Sequence, residues 1–182
     1  MRYKLFLIVF LICGLVGNAQ DGSFYNIKLP CISKEAEQIS MEAFKGKKVL
    51  VLVYNNVKPN PDDLVFLQKI LAVSSTGRLA ILICPVQKNL DSNQFLISGA
   101  KDVFESIKEP NLFVSSPLKV GDVQNLHPLL QMLWQKTSTS GLSEVKMNAF
   151  DKFLISEAGK VIGYFSKELP LSHPSIRTAI GE

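Results

Sequence analysis

Two short, wholly apolar runs constrain this chain more than anything else in it. Val49-Leu50-Val51-Leu52-Val53-Tyr54 and Leu79-Ala80-Ile81-Leu82-Ile83-Cys84 are each too short for a buried helix. Continuous rather than alternating apolarity marks strands covered on both faces, the pattern of a parallel pair. Between them, Asn60-Pro61-Asp62-Asp63 supplies an N-cap side chain, a proline at the first helical position and two acids in the first turn. Leu64, Leu67 and Leu71 then recur at helical spacing, with Phe66 and Ile70 widening the same face. The stretch therefore predicts a β–α–β unit whose strands run the same way and end on a common edge. Pro85, which lacks a backbone donor, is expected to halt the second strand.

The rest of the chain is read around that unit. Residues 23–29 alternate weakly, as an edge strand does, and Met41 to Phe44 form a short apolar element. Lys45, Lys47 and Lys48 read as a solvated turn. Short helices are expected around residues 95–97 and 102–107, and extended pieces from Asn111 to Val120. His127-Pro128 opens a helix with Leu129, Leu130, Leu133 and Trp134 on one face. Residues 150–155 and 160–165 flank Glu157-Ala158-Gly159 as a hairpin, Gly159 suiting a positive-φ position. Ser172 to Ile180 closes the chain as a helix. A β–α–β unit, a helix, a hairpin and a helix make the α/β, thioredoxin-like plan.

The first nineteen residues differ in kind. Arg2 and Lys4 precede an apolar run from Leu5 to Val16, and Gly17-Asn18-Ala19 follows with small residues before Gln20. That layout predicts a signal peptide over residues 1–19 and a single exported domain over 20–182, periplasmic or secreted, with no stable membrane span after cleavage. Large residues at Leu11 and Ile12 argue against a lipoprotein signal at Cys13. Losing Arg2 and Lys4 lowers the formal charge from +4 to +2. Near-neutral charge without a basic cluster argues against nucleic acid as a partner. In an oxidising compartment Cys31 and Cys84 are able to pair, or to remain two separate buried thiols. His127 and His173 read as helix-start residues and Trp134 as core. Nothing in the spacing calls for a metal or a cofactor.

Four blocks, in order, resemble the glutathione peroxidase family of thioredoxin-fold thiol and selenol peroxidases. Ser23-Phe24-Tyr25 with Phe44-Lys45-Gly46-Lys47 resembles its opening strand and F-K-G-K lead into the central strand. Ile81-Leu82-Ile83-Cys84-Pro85 stands where the family has F-P-C-N-Q. Val120-Gly121 followed by His127-Pro128-Leu129 is similar to V-N-G…H-P-L. Phe150-Asp151-Lys152-Phe153-Leu154-Ile155 with Gly159-Lys160-Val161 is similar to W-N-F-x-K-F-L…G-K-V. The resemblance covers nearly the whole of residues 20–182 and implies a mixed central sheet flanked by helices.

The functional positions depart from that pattern. The family's nucleophilic cysteine or selenocysteine falls on Val57 or, shifted by one, on Lys58. Its glutamine falls on Lys88, with Gln87 adjacent. Its tryptophan and asparagine fall on Asn148 and Ala149; a gap keeps Asn148 as the asparagine and puts Met147 at the tryptophan. Peroxide reduction needs a thiolate held at a helix N-terminus and donors that stabilise it. Valine cannot attack oxygen, and an ammonium is no substitute. The expectation is a domain without peroxidase activity that binds a protein or small-molecule partner at the cell envelope. The alternative is a thiol-dependent oxidoreductase or peroxidase, serving the response to oxidative stress, that uses Cys84, with Cys31 as resolving thiol.

If the family plan holds, Val57→Cys or Lys58→Cys places a thiol beside the N-terminus of the helix beginning near Pro61. Its pKa, read by pH-dependent alkylation, is expected below the ordinary value of about 8.5. Asp62→Asn with Asp63→Asn should lower it further, because two nearby anions oppose the thiolate. A thiol titrating at or above the ordinary value in both backgrounds contradicts this placement of the turn.

Overall fold

A computed structural model of the protein describes residues 24–31, 38–54, 65–70, 77–87, 111–120, 126–138 and 151–182. In chain order these form a 3-10 turn (Phe24–Asn26), β1 (Lys28–Pro30), β2 (Gln38–Ser40), a second 3-10 turn (Met41–Phe44) and β3 (Lys48–Tyr54). Helix α1 (residues 65–70) is followed by β4 (Leu79–Gln87), β5 (Leu112–Val114) and β6 (Leu118–Lys119). Helix α2 (Pro128–Ser138), β7 (Lys152–Ile155), β8 (Val161–Phe165) and α3 (Pro174–Ile180) complete the chain. The expected leader, the helices expected near residues 95–97 and 102–107, and the turn after Tyr54 lie outside the described residues.

The first apolar run is β3, and it holds the middle of the sheet. It pairs parallel with β4, from Lys48 opposite Leu79 to Tyr54 opposite Pro85. On its other side it pairs antiparallel with β7, from Val49 opposite Ile155 to Leu52 opposite Lys152. The strand order is β5-β4-β3-β7-β8, with β6 beside the far end of β4. The β–α–β unit and the hairpin are both as the sequence predicts, and the sheet is mixed.

Strand alternation then divides each apolar run between two cores. Val49, Val51 and Val53 join Ala80, Leu82, Cys84, Phe153 and Ile155 on one face, under Leu129, Leu130 and Leu133 of α2. Leu50 and Tyr54 join Ile81, Ile83 and the α1 residues Leu67 and Ile70 on the other. Burying a strand on both sides is why neither run shows a polar residue. Truncating one such side chain to alanine typically costs about 2–5 kcal/mol.

Three local expectations are corrected. Residues 23–29 do not form one strand. Ile27 N–H closes on the Phe24 carbonyl at 3.1 Å, making a 3-10 turn that buries Phe24 near Phe44, with only β1 extended after it. Pro85 does not end β4. Ile81 N–H donates to the Asn111 carbonyl at 2.8 Å and Ser115 N–H to the Ile83 carbonyl at 3.0 Å, so the odd residues of β4 face β5. Pro85 belongs to that series, and its missing donor falls in the break between β5, ending at Val114, and β6, starting at Leu118. Finally, the lysine turn is anchored rather than merely solvated. Lys47 Nζ donates to Asn111 Oδ1 at 3.4 Å, and Lys48 Nζ to the Ala179 carbonyl at 3.0 Å, where a cation suits the C-terminal end of α3.

The β7–β8 hairpin packs on the start of the described chain. Tyr25 Oη donates to the Glu157 carbonyl. Gly159 has φ +76°, and a Cβ there would lie 3.0 Å from Tyr25 Cε2 and 3.2 Å from Phe24 Cβ. The register shifts between Leu154 and Ile155, leaving Ile162 as an extra, half-exposed residue on β8.

Gly46 provides a control for Gly159, since its φ is +77° but a Cβ would meet nothing within 4 Å. Gly46→Ala should therefore cost only the left-handed backbone penalty, about 1–2 kcal/mol. Gly159→Ala should cost about 1–3 kcal/mol beyond that, for the contact with Phe24 and Tyr25. Urea unfolding of both variants measures the difference. Equal losses would show that the hairpin turn and the N-terminal turn are not in contact.

Candidate functional site

Parallel strands bring β3 and β4 to the same edge at Tyr54 and Gln87, and antiparallel β7 starts there at Lys152, after Asp151. This is the edge on which α/β folds place their chemistry. Val57, Lys58, Lys88, Asn148 and Ala149, and Met147 with them, lie outside the described residues. What the structure brings together is the set of strand ends that flank them.

A row of residues crosses the sheet just inside this edge. Cys31 bridges antiparallel to Ser115. Ser115 follows Val114, which pairs with Ile83, so it stands beside Cys84. Cys84 pairs with Val53, and Val53 N–H donates to the Asp151 carbonyl at 2.9 Å. The order Cys31, Ser115, Cys84, Val53, Asp151 follows from hydrogen-bonded register alone.

Cys84, the candidate thiol, lies inside this row rather than at the strand's end, because β4 runs three residues further. Its exposure is 0%. Burial pushes the thiol up to about 12, and a hydrogen bond with Ser115 only partly opposes that shift. At neutral pH it is a thiol, not a thiolate. Ser115 Oγ in turn donates to the Ser116 carbonyl at 3.0 Å, and Ser116 N–H to the Pro30 carbonyl at 2.7 Å, so polar groups here bond to backbone. Cys31 is half-buried, with Sγ 3.7 Å from the Val114 carbonyl oxygen.

The same row answers whether the two cysteines pair. Ser115 stands between them, so their Cα atoms are two strand spacings apart, about 9–10 Å. A disulfide needs less than about 7 Å. Cys31 and Cys84 are not joined to each other in the structure.

Four residues that the sequence reading did not single out for the site belong to this edge. Asp151 is buried, and its Oδ1 accepts a hydrogen bond from Tyr164 Oη at 3.4 Å. Burial first, then the Asp151 carboxylate, push the Tyr164 phenol up to about 12. Tyr54, at the end of β3, is pushed up to about 12 by burial. Alternation offered one signal: Asp151 shares the face of Phe153 and Ile155, both in the core. Lys152, beside it, is also buried and donates to the Ser166 carbonyl at 3.2 Å. Phenols and a thiol held protonated can donate hydrogen bonds but cannot act as nucleophiles at neutral pH.

The histidines cap helices, as the sequence suggests. His127 Nδ1 accepts from Leu129 N–H at 3.3 Å, and His173 Nδ1 accepts from Ser175 N–H at 3.2 Å. Both precede a proline at the helix start. Trp134 of α2 is only partly buried. Among the described residues no three His, Cys, Asp or Glu side chains assemble as metal ligands, and no helix is long and apolar enough to cross a membrane.

No protein-family model matches the chain, and no curated protein matches its sequence. Solved structures do match. The crystal structure of Trgpx in apo form superposes with a TM-score of 0.59 at 24% identity, over 87% of this chain and 93% of that one. The crystal structure of T. cruzi GPX1 superposes at 0.57 with 16% identity, over 87% and 94%. A Chlorobium tepidum protein described as thiol:disulfide interchange protein DsbE superposes at 0.50 with 13% identity, over 87% and 92%. At these identities the likeness speaks for the fold. The chain has the α/β, thioredoxin-like fold, in the mixed-sheet form of the glutathione peroxidase-type structures it resembles.

Proposed function

We propose that this protein is an exported, glutathione peroxidase-like domain that has given up peroxide reduction and acts by binding a protein or small-molecule partner at the cell envelope. One observation carries the reading. Beyond Cys13 in the leader, the chain's cysteines are Cys31 and Cys84, and Cys84 is sealed in the sheet with its thiol pushed up to about 12. The positions matching the family's nucleophile, Val57 and Lys58, carry no thiol. A sheet edge of this fold without a thiolate at the family's nucleophile position is suited to recognition rather than to peroxide reduction.

The mature protein is expected to reduce hydrogen peroxide with a thiol reductant no faster than buffer. In a mass-mapped alkylation of the folded protein, Cys84 is expected to stay unmodified until denaturant is added. Turnover that is abolished by Cys84→Ser, with selective oxidation of Cys84 under mild peroxide, would replace this reading with a thiol oxidoreductase. The N-terminus of the exported protein, read by mass spectrometry, is expected at Gln20; an intact N-terminus removes the envelope from the proposal.

A further inference from the structure

The sheet ends at β8, and its register tells which backbone groups of that strand look outward. Val53 N–H donates to the Asp151 carbonyl, so Asp151, Phe153 and Ile155 face β3, while Lys152 and Leu154 face β8. Gly163, opposite Leu154, and Phe165, opposite Lys152, therefore turn their N–H and C=O groups toward β7. Tyr164 turns its own outward, and the bulge leaves Ile162 without a paired residue on β7. Among the described residues, no backbone group of residues 161–165 hydrogen-bonds outside the ladder. Edge strands are ordinarily blunted by charge or proline. Val161-Ile162-Gly163-Tyr164-Phe165 has neither, and Ile162 is 53% exposed. At the opposite end of the sheet the chain supplies its own cover, where Pro30 accepts from Ser116 N–H and Cys31 bridges to Ser115.

We propose that β8 pairs antiparallel with β8 of a second copy of this chain, about a two-fold axis at Tyr164, so that one sheet runs across a homodimer. The proposal rests on register and is independent of the function proposed above. In this pairing the strand is complementary to itself. Each Tyr164 donates to and accepts from Tyr164 of the second copy through its outward main chain, while its phenol stays on Asp151. Gly163 comes opposite Phe165 of the second copy, and that ring already leans along its own strand toward its own Gly163. Ile162 comes opposite Ser166 of the second copy, within diagonal reach of its Tyr164. Beyond the strand, exposed Lys160 meets the turn that carries exposed Glu168 of the second copy, and the two-fold axis repeats that opposite-charge pair. Both copies use the same edge, so the pair closes on itself instead of growing into a fibre. Five residues a side make a small interface, for which a Kd on the order of 100 µM is expected.

Sedimentation equilibrium on the full chain, with charge reversals at the paired positions, tests both the association and its register. Lys160→Glu alone and Glu168→Lys alone should each weaken association about fivefold, because each sets like charges opposite one another twice. The double variant Lys160→Glu with Glu168→Lys restores opposite charges and should recover the wild-type Kd. Amide hydrogen exchange on the wild type reads the edge directly and needs no variant to fold. Between about 10 µM and about 1 mM protein, the Tyr164 amide should gain about fivefold in protection, as the expected Kd requires. The Gly163 and Phe165 amides, held by β7, should be equally protected at both concentrations. A chain that stays monomeric at about 1 mM, a Tyr164 amide indifferent to concentration, or single losses that the double variant does not recover would each overturn the proposal.

Discussion

Everything in this molecule depends on β3 being hydrogen-bonded on both sides and buried on both faces. Lys48 to Tyr54 has β4 along one edge and β7 along the other, and its side chains supply both cores. A strand in that position cannot carry a charge cheaply, since an ion removed from water without a partner shifts its pKa until it is neutral. The burial that stabilises the sheet therefore also governs its chemistry. Cys84 pairs with Val53 at the same level and shares that environment, which is why its thiol is held so far from ionisation. A reactive cysteine in such a fold belongs on a turn beyond the strands, next to a helix N-terminus. Val57 and Lys58, the positions that the resemblance assigns to that cysteine, lie outside the described residues.

Polar groups that do enter the interior are tied to backbone or to one another. Ser115 bonds to the next carbonyl, Lys152 to Ser166, and Asp151 to the phenol of Tyr164. Removing one partner from such a set leaves the other desolvated and unpaired, which is more damaging than the modest net worth of the bond itself. The polar row beside β3 thus behaves as part of the core, even though it lies close to the edge where related folds hold their ligands.

The central unit was legible from residues 49–84 because periodicity reports burial directly, and a run buried on two faces has no competing pattern. The hairpin was legible through Gly159, and the two helix starts through His-Pro pairs. Other features were not readable in one dimension. Pro85 looked like a stop because sequence does not reveal that its missing donor meets a gap between β5 and β6. The lysines at 47 and 48 looked solvated because their acceptors, Asn111 and Ala179, lie far along the chain. Asp151 escaped notice for a similar reason: a carboxylate at the start of a strand reads as exposed until the neighbouring strand brings Tyr164 to it. The separation of Cys31 from Cys84 needed the register, because the residue between them, Ser115, comes from a third segment, just after β5.

The position of β7 has a consequence for how the sheet is built. The central strand receives one neighbour from the next segment of the chain and the other from its last third, since Val49 to Leu52 pair with residues 152–155. Until those residues are available, β3 presents an unpaired apolar edge, and the Tyr25 contact with Glu157 has no second half. Closing such long loops precedes any reward from the contacts they bring, so sheets of this order form late and slowly. A chain emerging N-terminus first is thus left with an incomplete, adhesive sheet until its C-terminal hairpin arrives. That interval is when association with other unfolded chains competes with folding.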